Sequence, residues 1–342
     1  MSERTLLDVR DLTVRFPTSD GVVQAVSEVS FTLSRGETLG VVGESGSGKS
    51  VSNLAIMGLL NRSRTVISGH VEYLGRDLLT LPPAELRKVR GKDIAMVFQD
   101  PFASLHPMYR VGDQIAEAVL AHQDVSKNAA RARAVELLGH VGIPNAKSRA
   151  RDYPHQFSGG MRQRAMIAMA LVHNPDVLIC DEPTTALDVT VQAQIIELIE
   201  EVKREFDIGV ILVTHDLGVI AETANSVMVM YAGRIMEYGP AQEIFERPQH
   251  PYAWGLLDSM PTIEHRLAAL VPIDGSPPSL LAPPSGCPFH PRCRYRFEPC
   301  PVERPPLVAP VPEAHPDACH LPWDTKVAEG GKRSIARLGD AA

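Results

Sequence analysis

Gly43-Glu44-Ser45-Gly46-Ser47-Gly48-Lys49-Ser50 restricts what this chain can fold into more than any other part of it. The run stands between a short apolar segment, Thr38 to Val42, and a stretch of helical spacing from Ser50 to Leu60. Strand, glycine loop and helix in that order form the P-loop pattern. The glycines let successive backbone N–H groups converge on phosphate oxygens, and the helix that follows adds its positive end. Lys49 is spaced to reach the β- and γ-phosphates, and Ser50 to ligate Mg²⁺. A glycine-rich turn with a chance lysine would not carry this flanking pattern.

A second element completes the phosphate chemistry. Val177-Leu178-Ile179-Cys180-Asp181-Glu182-Pro183 reads as a buried strand ending in two acids. Continuous apolar runs of this kind are central strands of parallel sheets, so the acids fall at the C-terminal edge where ligands bind. Pro183 holds Glu182 away from helical geometry. Asp181 is then placed to hold Mg²⁺ and Glu182 to polarise an attacking water. Strand-like Val210–Thr214 follows, and the intervening helix carries a stripe of Val191, Ile195, Leu198, Ile199, Val202 and Phe206. Alternating strands and helices predict an α/β domain. Residues 6–16 and 22–33 read as strands near the N-terminus. The stretch 108–157, rich in Ala, Leu, Glu and Arg, reads as a helical insertion.

Phe157-Ser158-Gly159-Gly160-Met161-Arg162-Gln163-Arg164 narrows the class. It resembles the signature motif of the ABC ATPases, departing from it by Phe for Leu at the first position and Met for Gln after the second glycine. A serine and two glycines at a helix N-terminus make a further anion site. The resemblance runs in order from residue 6 to 240. Phe16 stands where that family stacks an aromatic on adenine, and Gln99 resembles its Q-loop glutamine, a Mg²⁺ and water sensor. Ala186-Leu187-Asp188 resembles the D-loop, and His215 the switch histidine. The implied fold is a P-loop NTPase with a mixed sheet, an N-terminal antiparallel β subdomain and a helical insertion. The implied catalytic set is Lys49, Gln99, Glu182 and His215, with Mg²⁺ held by Ser50, Gln99 and Asp181. ATP would be bound by Phe16, residues 43–50, Gln99 and Asp181. Ser158, Gly159, Gly160 and Asp188 are expected to act on nucleotide across a dimer of two cassettes.

Further segments resemble the ATPases of dipeptide and oligopeptide importers. Gln99-Asp100-Pro101-Phe102-Ala103-Ser104-Leu105-His106-Pro107 resembles their extended Q-loop, with His106 where Asn is usual. His250-Pro251-Tyr252-Ala253, and then Gly286-Cys287-Pro288 through Cys319-His320, resemble their C-terminal extension. The resemblance implies a motor subunit on the cytoplasmic face of the membrane. Its expected partners are a second ATPase chain, a paralogue rather than a copy, two transmembrane permeases and an external binding protein. Nickel and glutathione importers share much of the pattern. Soluble ABC ATPases of chromosomes separate P-loop and signature by a long coiled coil, whereas here only residues 51–156 intervene. The net charge of −7 offers no overall basic field for nucleic acid. No apolar run reaches the roughly 18 residues of a membrane span, and Met1-Ser2-Glu3-Arg4 is no signal peptide, so the chain is expected in the cytosol.

The expected boundaries are 1–250 for the nucleotide-binding domain (helical part about 100–160), 251–323 for the extension, and 324–342 for a disordered tail. Cys287, Cys293, Cys300 and Cys319 crowd the irregular extension. In a reducing compartment such a set is a metal site before it is a disulfide framework. The resemblance implies a [4Fe-4S] cluster on these four thiolates, and Cys₄ chemistry suits one. Zinc takes the same ligands, although the C-x₂₋₄-C pairs it favours are missing. Cys180 reads as a small core residue.

Overall fold

The computed structural model describes residues 5–100, 104–185, 187–260 and 272–333. In chain order the strands are β1 (Thr5–Thr18), β2 (Gly21–Ser34), β3 (Thr38–Val42), β4 (Val66–Tyr73), β5 (Arg76–Asp77), β6 (Ile94–Val97), β7 (Val177–Asp181), β8 (Gly209–Val213), β9 (Ser226–Tyr231) and β10 (Arg234–Pro240). Two compact units divide the chain. One is built chiefly from Leu33–Glu37 and Thr80–Val213, the other from Leu7–Thr32, Thr38–Leu79 and the residues from Thr214 onward.

In the first unit β6, β7 and β8 run parallel, with Ile94 opposite Val177 and Val177 opposite Gly209. Every residue of β7 and β8 is buried, as expected of strands covered on both faces. The helix Val189–Phe206 lays the expected stripe inward through Ile195, Leu198, Ile199 and Val202. Burying each such side chain contributes about 1.5–3 kcal/mol. Asp188 caps that helix by accepting from the Val191 N–H at 3.0 Å. The helical insertion is present as Val111–Leu120 and Lys127–His140, which pack together through residues such as Ile115, Val119, Ala134 and Leu138. Ser126 caps the second of these through the Ala129 N–H.

The second unit carries the antiparallel sheet β2-β1-β4-β5, with Leu7 opposite Tyr73 and Val14 opposite Ile67. It also pairs β3 with β9 in parallel and β9 with β10 antiparallel. The β9–β10 hairpin turns through Ala232 (φ 48°) and Gly233 (φ 77°), the pair of left-handed residues that a tight hairpin requires. Parallel and antiparallel pairs together make the mixed sheet the sequence implied. The helix Lys49–Ile56 follows the P-loop directly.

Beyond β10 the chain is held by buried polar groups. Glu237, fully buried, accepts from the N–H groups of Gln249 (2.8 Å) and His250 (2.9 Å) and contacts His315 Nε2 at 2.6 Å. Lys326 Nζ donates to both oxygens of buried Asp317, at 2.7 and 2.8 Å. That ion pair corrects the expectation of a disordered tail from residue 324. Trp323–Gly330 is a helix, anchored by Lys326 on the buried Asp317 carboxylate. Arg333 adds a second tie, its Nε lying 3.0 and 2.9 Å from the Asp258 oxygens. Residues 334–342 lie outside the described residues. Among the described residues no helix is long and apolar enough to cross a membrane.

Candidate functional site

The P-loop shape is dictated by close packing as much as by phosphate. A Cβ on Gly43 (φ 149°) would stand 2.1 Å from the Met230 carbonyl, and one on Gly48 (φ 103°) 2.5 Å from that of Ala25. No other residue fits either position. Lys49, largely buried, turns its Nζ onto the carbonyls of Gly43 (2.7 Å) and Glu44 (2.9 Å) and lies 3.4 Å from Ser47 Oγ. Ser45 and Gly46 are exposed at the loop, and Ser50 lies in the first turn of the helix. Phe16 sits on β1, half-buried. His215 is exposed beyond the end of β8, next to Asp216, which caps the helix Leu217–Thr223 through the Gly218 and Val219 N–H groups.

The acids are at the end of β7, as expected. Asp181 is buried, and Glu182 takes a left-handed φ of 48°, which a non-glycine residue adopts at a cost. Its N–H is held by the Val213 carbonyl at 2.9 Å. One carboxylate oxygen accepts from Gln99 Nε2 at 2.8 Å and from Thr185 Oγ1 at 2.9 Å. Gln99 and Glu182, named separately from the sequence, therefore meet. Thr185 escaped the sequence reading, since a threonine three residues after an acid carries no signal of its own.

Ser158 caps the helix Gly159–Ala170 by accepting from Met161 N–H at 3.3 Å. A Cβ on Gly160 would come within 2.5 Å of Val191 Cγ1, so this glycine lets two helices approach. Gly159 has Leu187 Cδ2 at 3.3 Å from the same notional atom. Ala186 of the D-loop and residues 101–103 of the extended Q-loop lie outside the described residues.

All four extension cysteines line one small cavity, with His250, Phe289 and Tyr295 among its other walls. Burial pushes the thiols of Cys287 and Cys293 up to about 11 and that of Cys319 up to about 12. Backbone N–H groups oppose that rise: those of Phe289 and His290 face Cys287, that of Tyr295 faces Cys293 and that of Leu321 faces Cys319. Among the described residues no three His, Cys, Asp or Glu side chains converge into a group for one metal ion. Burial likewise raises the Cys180 thiol, consistent with its place in the β7 core.

Comparison with known proteins agrees with this geometry. Residues 26–185 match the family model for ABC transporters, and residues 236–300 that for the C-terminal region of oligopeptide/dipeptide transporters. The oligopeptide transport ATP-binding protein OppD of Haemophilus influenzae is 54% identical over 87% of this chain and 92% of its own length. The dipeptide transport ATP-binding protein DppD of Bacillus subtilis is 54% identical over 86% of this chain and 88% of its own. Among solved structures, the dimeric post-hydrolysis ATP-binding cassette MJ0796, bound to ADP and phosphate, superposes with a TM-score of 0.62 at 26% identity, covering 69% of this chain and 99% of that one. By sequence and by fold, this chain belongs to the ABC ATPases, in the family of oligopeptide and dipeptide transport ATP-binding proteins.

Proposed function

We propose that this chain energises the import of di- and oligopeptides, hydrolysing ATP on the cytoplasmic face of the membrane. The observation that carries the reading is the reach of the likeness. Relatives named for oligopeptide and dipeptide transport align over most of the chain, and the transporter-specific C-terminal region is matched as well as the cassette. The working assembly pairs this chain with a paralogous ATPase and two permeases, fed by an external peptide-binding protein.

Each residue has one role in the cycle. Residues 43–50 wrap the phosphates, Lys49 neutralises the β- and γ-phosphates, and Ser50, Gln99 and Asp181 serve Mg²⁺. Phe16 stacks on adenine. Glu182 draws the proton side of the attacking water toward its carboxylate, and His215 contacts the γ-phosphate as charge develops. Ser158, Gly159, Gly160 and Asp188 act on the nucleotide held by the opposing cassette. Closure of two cassettes on two Mg-ATP drives the permeases.

The four cysteines are assigned to a [4Fe-4S] cluster with a structural role. Support comes from the shared cavity and from the N–H groups facing three of the sulfurs, which suit thiolate ligands. A single zinc at about 2.3 Å would draw four sulfurs to roughly 3.8 Å of one another, tighter than a cuboidal cluster demands.

The test is ATPase activity of the complex purified without oxygen, together with its permeases and a binding protein. Stimulation by peptide-loaded binding protein is the expected result. Activity that ignores peptides and answers to nickel or glutathione would overturn the cargo while keeping the motor. Failure to assemble with any permease would overturn the transport reading altogether.

A further inference from the structure

Glu44, the second residue of the P-loop, is gripped at two points by the C-terminal extension. Arg292 meets its carboxylate with both terminal nitrogens, Nη1 at 2.6 Å and Nη2 at 3.0 Å. Tyr252 accepts from its backbone N–H at 2.8 Å. Neither partner is loosely held. The Arg292 side chain is 5% exposed, and its Nε donates to the Asp274 carbonyl at 2.8 Å. Its Nη1 also reaches the Tyr231 hydroxyl at 3.3 Å. Tyr252 is fully buried, with its ring 4.6 Å from that of Tyr231.

The grip continues into the loop. The carbonyl of the same Glu44 accepts from Lys49 Nζ at 2.9 Å and from the Ser47 N–H at 3.2 Å. A path of hydrogen bonds thus runs from Arg292 and Tyr252 through Glu44 to the lysine that serves the phosphates. A bidentate guanidinium–carboxylate contact fixes angle as well as distance, which a single bond to a flexible lysine would not.

We infer that Arg292 and Tyr252 are positioning residues for ATP, holding Glu44 so that the P-loop is set in its phosphate-binding form before the nucleotide arrives. A loop ordered in advance spares the nucleotide the cost of ordering it, so the effect falls on affinity. The inference uses only the ATP site of the cassette. It is independent of the cargo.

The test uses the full chain in complex with its permeases and measures equilibrium Mg-ATP affinity, KM, kcat and thermal midpoint. Glu44→Ala, Tyr252→Phe and Arg292→Met are each expected to weaken Kd and raise KM about tenfold, with kcat changed by less than about twofold. Arg292→Lys should recover only part of the affinity, because one ammonium cannot span both oxygens. The double variant Glu44→Ala with Arg292→Met should be no weaker than the worse single one, since the two act through one contact. If Arg292→Met fails to fold, Tyr252→Phe removes a single hydroxyl and decides the matter. Wild-type affinity in Tyr252→Phe and Glu44→Ala, or losses that multiply in the double variant, would overturn the inference. A fall in kcat at unchanged Kd would overturn it too.

Discussion

Glu182 joins a strained backbone to a carboxylate held by two donors. Its backbone is in the left-handed region without being glycine, and its carboxylate is steered by Gln99 and Thr185 onto one side. Glu182→Gln keeps the shape and removes the charge. The expected outcome is unchanged Mg-ATP binding with hydrolysis lowered about a hundredfold or more, checked by nucleotide binding and phosphate release on one preparation. Turnover near the wild-type rate would remove Glu182 from the role of base. Thr185→Val tests the steering separately, and a smaller loss, about tenfold, is expected, consistent with one lost hydrogen bond.

At the scale of elements, what could be read in advance divides by range of interaction. Strands β3, β7 and β8 and the helices that follow them announce themselves by unbroken apolar runs and by stripes such as Ile195, Leu198 and Val202. Ser158 was legible as a helix start because capping is local. The β9–β10 hairpin was not, since its turn is Ala232-Gly233 rather than a pair such as Asn-Gly. The helix Trp323–Gly330 was missed for another reason. Its stability lies in Lys326 meeting Asp317, and a polar, glycine-flanked stretch gives no sign of a partner elsewhere. Lys326→Met leaves the Asp317 carboxylate buried without its cation and is expected to cost about 3–5 kcal/mol in urea unfolding. Pairing it with Asp317→Asn should return much of that loss, because both buried charges are then gone. Equal stability of the single variant and the wild type would show the ion pair to be inert.

For the whole molecule, the glycine loop, the acidic end of β7 and the start of the Gly159–Ala170 helix were legible one by one, but the link between the P-loop and the extension was not. Lys49, Glu182 and the signature glycines sit in short motifs, whereas Arg292 reads as one arginine among many near the cysteines. Only the fold brings it to Glu44, 248 positions away in sequence. The extension also carries the prediction that concerns metal. Chain purified without oxygen is expected to hold iron and acid-labile sulfide, and to lose both, with their visible absorbance, on Cys300→Ser. Zinc bound in place of iron, without that absorbance, would replace the cluster assignment.

The distance between Glu44 and Arg292 has a consequence for the chain as it is made. At about 5–20 residues per second, a ribosome that has finished Glu44 needs roughly 12–50 s more to reach Arg292. Through that interval the nascent P-loop exists without its clasp. A growing polypeptide would thus be a poor trap for cytosolic ATP, and a message broken before codon 292 would yield a fragment that competes weakly for nucleotide with the finished subunit.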